Sequence, residues 1–184
     1  MFETLLGRIA AALKKAGIGY MVIGGQAVLL YGEPRLTKDI DITLSVDTDR
    51  LPDIMRLVRI LRLRALADDP EKLARETKVF PAVQDSTGVR VDFIFSSSEF
   101  EKVAISRARR TRLGRHYVMF ASLEDLLIHK IVAGRPRDIE DVKSVLLKNR
   151  QYDRGYVEDW LGKFDKALDT GHVTVFKSIT REIG

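Results

Sequence analysis

Asp39 and Asp41 stand in the stretch DIDITL, alternating with Ile40 and Ile42. Read as a strand, this stretch points both carboxylates to one face, about 7 Å apart, and turns the two isoleucines into a core. Neighbouring carboxylates repel unless a positive charge lies between them. A divalent cation that prefers oxygen, Mg²⁺ or Mn²⁺, supplies that charge most simply. Upstream, Gly24 and Gly25 follow a strand predicted over Tyr20–Ile23 and open a helix predicted over Gln26–Tyr31. Free backbone N–H groups and the helix dipole at such a start attract phosphate, and glycine lets the backbone come close. An anion cradle beside a cation clamp suits a nucleoside triphosphate (NTP) with its metal.

Three further positions carry charge where the surroundings make it matter. Asp92 interrupts the apolar strand VRVDFIF at 89–95. A buried carboxylate without a partner costs several kcal/mol, so something must compensate it, and Arg90 is one candidate. Arg35 and Lys38 lie in the loop GEPRLTK just before the two acids. They either pair with Asp39 or Asp41 or contact a triphosphate or its acceptor. Lys130 falls near the end of a helix predicted over 122–133, where a lysine complements the dipole.

The order Gly24, Gly25, Ala27, Gly32, Arg35, Thr37, Asp39, Ile40, Asp41 resembles the nucleotidyltransferase superfamily, in particular its small prokaryotic branch of AbiEii-type toxins and related proteins. The likeness spans roughly residues 18–145. It implies a metal-dependent transfer of NMP from an NTP to a hydroxyl on RNA (tRNA among the possibilities), protein or a small molecule. It makes Asp92 the third carboxylate, with Asp39, Asp41 and Asp92 holding two metal ions, Mg²⁺ or Mn²⁺, and acting in catalysis. It assigns nucleotide binding to Gly24, Gly25, Arg35, Thr37 and Lys130, with Arg137 and Asp141 in support. The residues alone also allow Asp138 to cap the next helix, and Asp138 and Asp141 to pair at the surface with Lys143 or Lys148. The branch raises two further possibilities. One is a toxin restrained by an antitoxin partner; the other is a catalytically silent protein of the same fold that binds a nucleotide or a partner.

The elements that must hold these residues predict an α/β chain. A small, mixed, twisted sheet of roughly four to five strands carries flanking helices, and further helices follow at the carboxyl end. The expected division is a core over 1–121 and a helical subdomain over 122–184 that closes the cleft. A strand over 77–83 contains Pro81 and reads as an edge or irregular strand. A helix is predicted over Asp49–Leu63, and residues 109–121 read as a small hairpin turning at Gly114. Trp160 reads as a packing anchor.

The chain has 184 residues, no cysteine and a net charge of +5. Disulfides and thiolate metal sites are excluded, and with three scattered histidines no zinc site is predicted. No apolar run approaches the roughly 20 residues of a membrane span, so a cytoplasmic protein is expected. Arginines cluster at Arg56, Arg59, Arg62 and Arg64, and again at Arg107, Arg109, Arg110, Arg112 and Arg115. Each cluster is either a solvated face or a surface for a phosphate backbone.

Overall fold

The computed structural model describes residues 2–184. Helix α1 (Phe2–Lys15) forms because Leu5, Leu6, Ile9, Ala10 and Leu13 recur along one buried face. Gly17 stops it in a left-handed conformation, φ 66°; its N–H donates to the Lys14 carbonyl at 3.1 Å, and that of Ile18 to Leu13 at 3.0 Å. Strand β1 (Tyr20–Ile23), helix α2 (Gly24–Tyr31) and strand β2 (Asp39–Leu44) follow. A 3₁₀ turn, Thr48–Arg50, leads into α3 (Leu51–Ile60), then β3 (Arg64–Ala65) and α4 (Pro70–Thr77). The hairpin β4 (Val79–Gln84) and β5 (Val89–Phe95), helix α5 (Glu99–Ser106) and the hairpin β6 (Arg109–Leu113) and β7 (His116–Phe120) come next. Four helices end the chain: α6 (Leu123–Ala133), α7 (Pro136–Lys148), α8 (Arg154–Leu168) and α9 (His172–Ile183).

The sheet is mixed and flanked by helices, as expected, but among the described residues it has seven strands in the order β3-β4-β5-β2-β1-β7-β6 rather than four to five. Two additions account for the difference. The two-residue β3 pairs with β4, and the β6–β7 hairpin joins the sheet through a parallel contact, Val22 with Phe120, extended by Ala121 N–H to the Val22 carbonyl at 3.0 Å. Strand β2 is antiparallel to β1 and parallel to β5.

Strand β4 is not an edge, since β3 and β5 flank it. Pro81 is tolerated because β3 covers only Ala82 and Val83. The Pro81 carbonyl accepts from Leu66 on that same side, so the N–H that proline lacks would face the end of β3, and the ladder there goes without one bond. Helix α3 is shorter than predicted. Thr48–Arg50 takes up the 3₁₀ turn, and Arg62 adopts a positive φ of 57° just past the helix.

The chain divides into two compact units. The first holds the residues to Gln26 together with Thr37–Ala121, and the second holds Ala27–Leu36 with Ser122–Gly184. In the first unit Phe80, Phe93, Phe95 and Phe120 are among the largest fully buried side chains. In the second, Leu126, Leu127, Val142, Val145, Leu161 and Phe176 are buried, and Trp160, 8% exposed, packs among the core residues as expected. Ser122 caps α6 by accepting from the Asp125 N–H at 3.1 Å. Asp125 is itself buried, and its carboxylate accepts from the Ser122 hydroxyl (2.6 Å) and the Tyr156 hydroxyl (2.7 Å). Among the described residues no helix is long and apolar enough to cross a membrane.

Candidate active site

In the first unit, the alternation of β2 buries Ile40 and Ile42 and leaves Asp39 exposed and Asp41 half-buried on the opposite face. Strand β5 does the same: Val89, Val91, Phe93 and Phe95 are buried, while Arg90 and Asp92 lie on the other face. The two strands are parallel and in register, Asp39 beside Arg90 and Asp41 beside Asp92. Paired residues on adjacent strands share a face, so all four charged side chains project from one surface, with strands about 4.8 Å apart. The carboxylates of 39, 41 and 92 are therefore neighbours.

An arginine stands among them. The Arg90 Nε donates to Asp92 Oδ1 at 2.8 Å, and the Asp92 side chain is 16% exposed. Its hydrogen bond to Asp92 raises the guanidinium's hold on its proton against a smaller loss from burial, and the charges of Asp92, Asp39 and Asp41 add to the effect. The pairing anticipated for Asp92 is thus present together with its place beside Asp41.

Gly24 opens α2 with φ 64°. A Cβ at this position would overlap the Asp41 carboxylate at Oδ2. The missing side chain therefore lets the Asp41 carboxylate lie directly against the helix start. Gly24→Ala is expected to cost about 1–2 kcal/mol from the left-handed backbone alone. It should also displace the Asp41 carboxylate, whose Oδ2 a Cβ would overlap. A thermal melt of the variant beside the wild type measures the cost. Thr37, in the same unit, has its hydroxyl 3.4 Å from the Asp39 carbonyl.

The donor set has the chemistry of a hard-cation site: carboxylate oxygens on one face, with Asp41 held in a space that any other residue at 24 would fill. Among the described residues, however, no group of three or more such side chains is arranged to hold a metal ion. The residues fit a cation held by the Asp39 and Asp41 pair, with Asp92 engaged by Arg90.

The second unit contains a separate ion network. Arg35 donates to both oxygens of Asp141, Nε at 2.8 Å and Nη2 at 2.9 Å. Lys130 Nζ lies 2.6 Å from Asp138 Oδ1 and 2.9 Å from Asp141 Oδ2, with 7% of its side chain exposed. Arg135 Nε completes the set at 2.6 Å from Asp138 Oδ2. Burial alone would push both carboxyls up. For Asp138 the hydrogen bonds and charges of Arg135 and Lys130 outweigh it, and for Asp141 those of Arg35 and Lys130, so both lie below the ordinary carboxylate range.

Asp138 does not cap α7: the cap position is Arg135, and Asp138 sits buried in the first turn. Nor does Lys143 pair with Asp138 or Asp141; it bonds to Glu182 at 2.6 Å, and Lys148 bonds to Glu33 at 2.9 Å. Arg137 is exposed and reaches Glu140 at 3.4 Å, outside this network. Arg135 was missed by sequence reasoning, although its spacing of three from Asp138 was a signal. Of the clustered arginines, Arg64 bonds to Asp85 at 2.7 Å, and Arg110 lies over the Tyr117 ring at 3.8 Å.

Residues 5–167 match the family model for a nucleotidyltransferase of unknown function (DUF6036). Among solved structures, the antibiotic-resistance factor ANT(2'')-Ia superposes in its solution form with a TM-score of 0.62 at 17% identity, covering 90% of this chain and 92% of that one. Its complex with adenylyl-2''-tobramycin gives 0.60 at 18%, covering 90% and 98%. The lincosamide antibiotic adenylyltransferase LnuA, bound to lincomycin, gives 0.54 at 15%, covering 77% and 94%. A nucleotidyltransferase-like protein from Paracoccidioides brasiliensis gives 0.57 at 16%, covering 91% and 88%. These likenesses are of fold. No curated protein sequence matches the chain.

Proposed function

This chain belongs to the family of nucleotidyltransferases of unknown function (DUF6036), and from that premise we propose that it moves a nucleoside monophosphate from an NTP to an acceptor hydroxyl. One observation carries the reading: Asp39, Asp41 and Asp92 share a face of two paired strands, with the Asp41 carboxylate against the Gly24 helix start. In this reading the backbone N–H groups at Gly24 and Gly25 and the Thr37 hydroxyl receive the triphosphate. Asp39 and Asp41 would hold Mg²⁺ or Mn²⁺, which when bound neutralises phosphate charge and fixes the reacting geometry. The acceptor oxygen attacks the α-phosphorus, the bond from that phosphorus to the β-phosphate's bridging oxygen breaks, and pyrophosphate leaves. The hydroxyl proton passes to Asp92.

ANT(2'')-Ia and LnuA carry antibiotic ligands, which makes small polyhydroxyl compounds the first acceptors to test, with RNA and protein beside them. The assay incubates the chain with each α-labelled NTP, Mg²⁺ and, in turn, an aminoglycoside, a lincosamide, total RNA and total protein. Label should move to one class of acceptor with release of pyrophosphate, and Asp39→Ala should not support it. A second reading, nucleotide binding without transfer, draws on Arg90 lying among the acids. NTP binding with no label moved to any acceptor would establish it instead.

A further inference from the structure

The three carboxylates bring three negative charges to one face, and the same face carries a positive one. Arg90 lies two residues before Asp92 on β5 and beside Asp39 across the ladder. Its Nε–Asp92 Oδ1 bond of 2.8 Å occupies one of the oxygens that a cation shared between Asp41 and Asp92 would use. Guanidinium is charged at every pH the protein meets, so its charge, unlike a bound ion's, cannot dissociate with a product. At the Asp92 end of the cluster a permanent positive charge therefore already stands where a second ion would have to sit.

We propose that Arg90 is a positioning residue that supplies, at the Asp92 end of the cluster, the charge a second divalent ion would otherwise bring, so that the site takes up one such ion and not two. Arg90 orients Asp92 by its hydrogen bond and screens it from Asp41 and Asp39. The ion then belongs to the Asp39 and Asp41 pair. This inference rests on the nucleotidyl-transfer reading for its purpose, but ion counting does not depend on transfer being observed.

The test counts bound Mn²⁺ by the loss of its free-ion EPR signal, with a non-hydrolysable NTP analogue equimolar to the chain. The wild type and Arg90→Lys should each bind one ion per chain in the complex. Arg90→Ala should bind two, because Asp92 is released and the uncompensated charge attracts a second ion. Two ions in the wild type, none in the wild type, or one in Arg90→Ala would each overturn the inference. Arg90 is exposed, so its replacement leaves the core intact, and a melt of each variant confirms that counting is done on folded chain. If wild-type chain transfers label yet binds two ions, the reading of function stands and Arg90's role falls. If ions count as expected and nothing is ever transferred, the opposite holds.

Discussion

Asp41→Ala is expected to lower nucleotidyl transfer by at least about a thousandfold, roughly 4 kcal/mol of transition-state stabilisation, while leaving the melting temperature unchanged or slightly raised. Asp41 occupies the centre of the proposed site. It shares a strand face with Asp39, pairs in register with Asp92, and lies against Gly24. Like charges opposite one another across a ladder destabilise a sheet. Removing the central carboxylate therefore relieves repulsion at the same time as it removes a cation ligand. Activity and stability should move independently or in opposite senses, as they do where a site is held at some cost to the fold. Steady-state rates with whichever acceptor takes the label in the transfer assay, set beside thermal melts without ligand, make the comparison. Retained transfer, or a loss explained by a fall in melting temperature of more than about 10 °C, roughly 3–5 kcal/mol for a chain of this length, would count against the site.

The parts of this site that were legible in the sequence are those set by local pattern. DIDITL and VRVDFIF each alternate between a buried and a charged face, and both strands run where the alternation puts them, Asp39–Leu44 and Val89–Phe95. Two glycines after a strand marked the helix start, although α2 begins at Gly24 itself and not at Gln26. What pattern could not supply was pairing at a distance. The Arg35 to Asp141 bond spans 106 residues, and nothing within a few residues of either side chain marks the other. Arg35 therefore read either as a partner for the acids nearest in sequence or as a contact to a triphosphate or its acceptor.

The same limit explains the strand count. A two-residue strand such as β3 has no periodicity to detect, and its existence depends on β4 being beside it. The β6–β7 hairpin was legible from Gly114 and its strand formers, but its union with the sheet rests on the single register pair of Val22 and Phe120. Pro81 argued against an interior strand on sound grounds. The sheet accommodates it because the missing donor faces the end of the two-residue β3, where Leu66 N–H still bonds to the Pro81 carbonyl.

Lys130→Met is expected to destabilise the chain by about 3 kcal/mol, toward the lower end for breaking a buried ion pair, and to lower the melting temperature by about 6–12 °C. The lower end applies because the lysine's loss does not leave Asp138 and Asp141 wholly uncompensated: Arg135 still meets the first and Arg35 the second. The two carboxyls are held below their ordinary range, so the unfolded chain takes up protons more readily than the folded one. The stability they confer is fully present above the unfolded value, about 3.9, and is lost as pH falls through the lower folded values. Wild-type stability should therefore drop on acidification below about pH 4. The drop should be shallower in Lys130→Met, whose carboxyls have lost one of the cations that depress them. Urea denaturation at pH 7 and pH 3 measures both effects. The experiment also separates two roles for this lysine. As a phosphate ligand it would change NTP affinity and leave folding alone. With its ammonium within 2.9 Å of two buried carboxylates, the larger change should be in folding, and a melting temperature within about 2 °C of wild type, less than roughly 1 kcal/mol, would return Lys130 to the nucleotide.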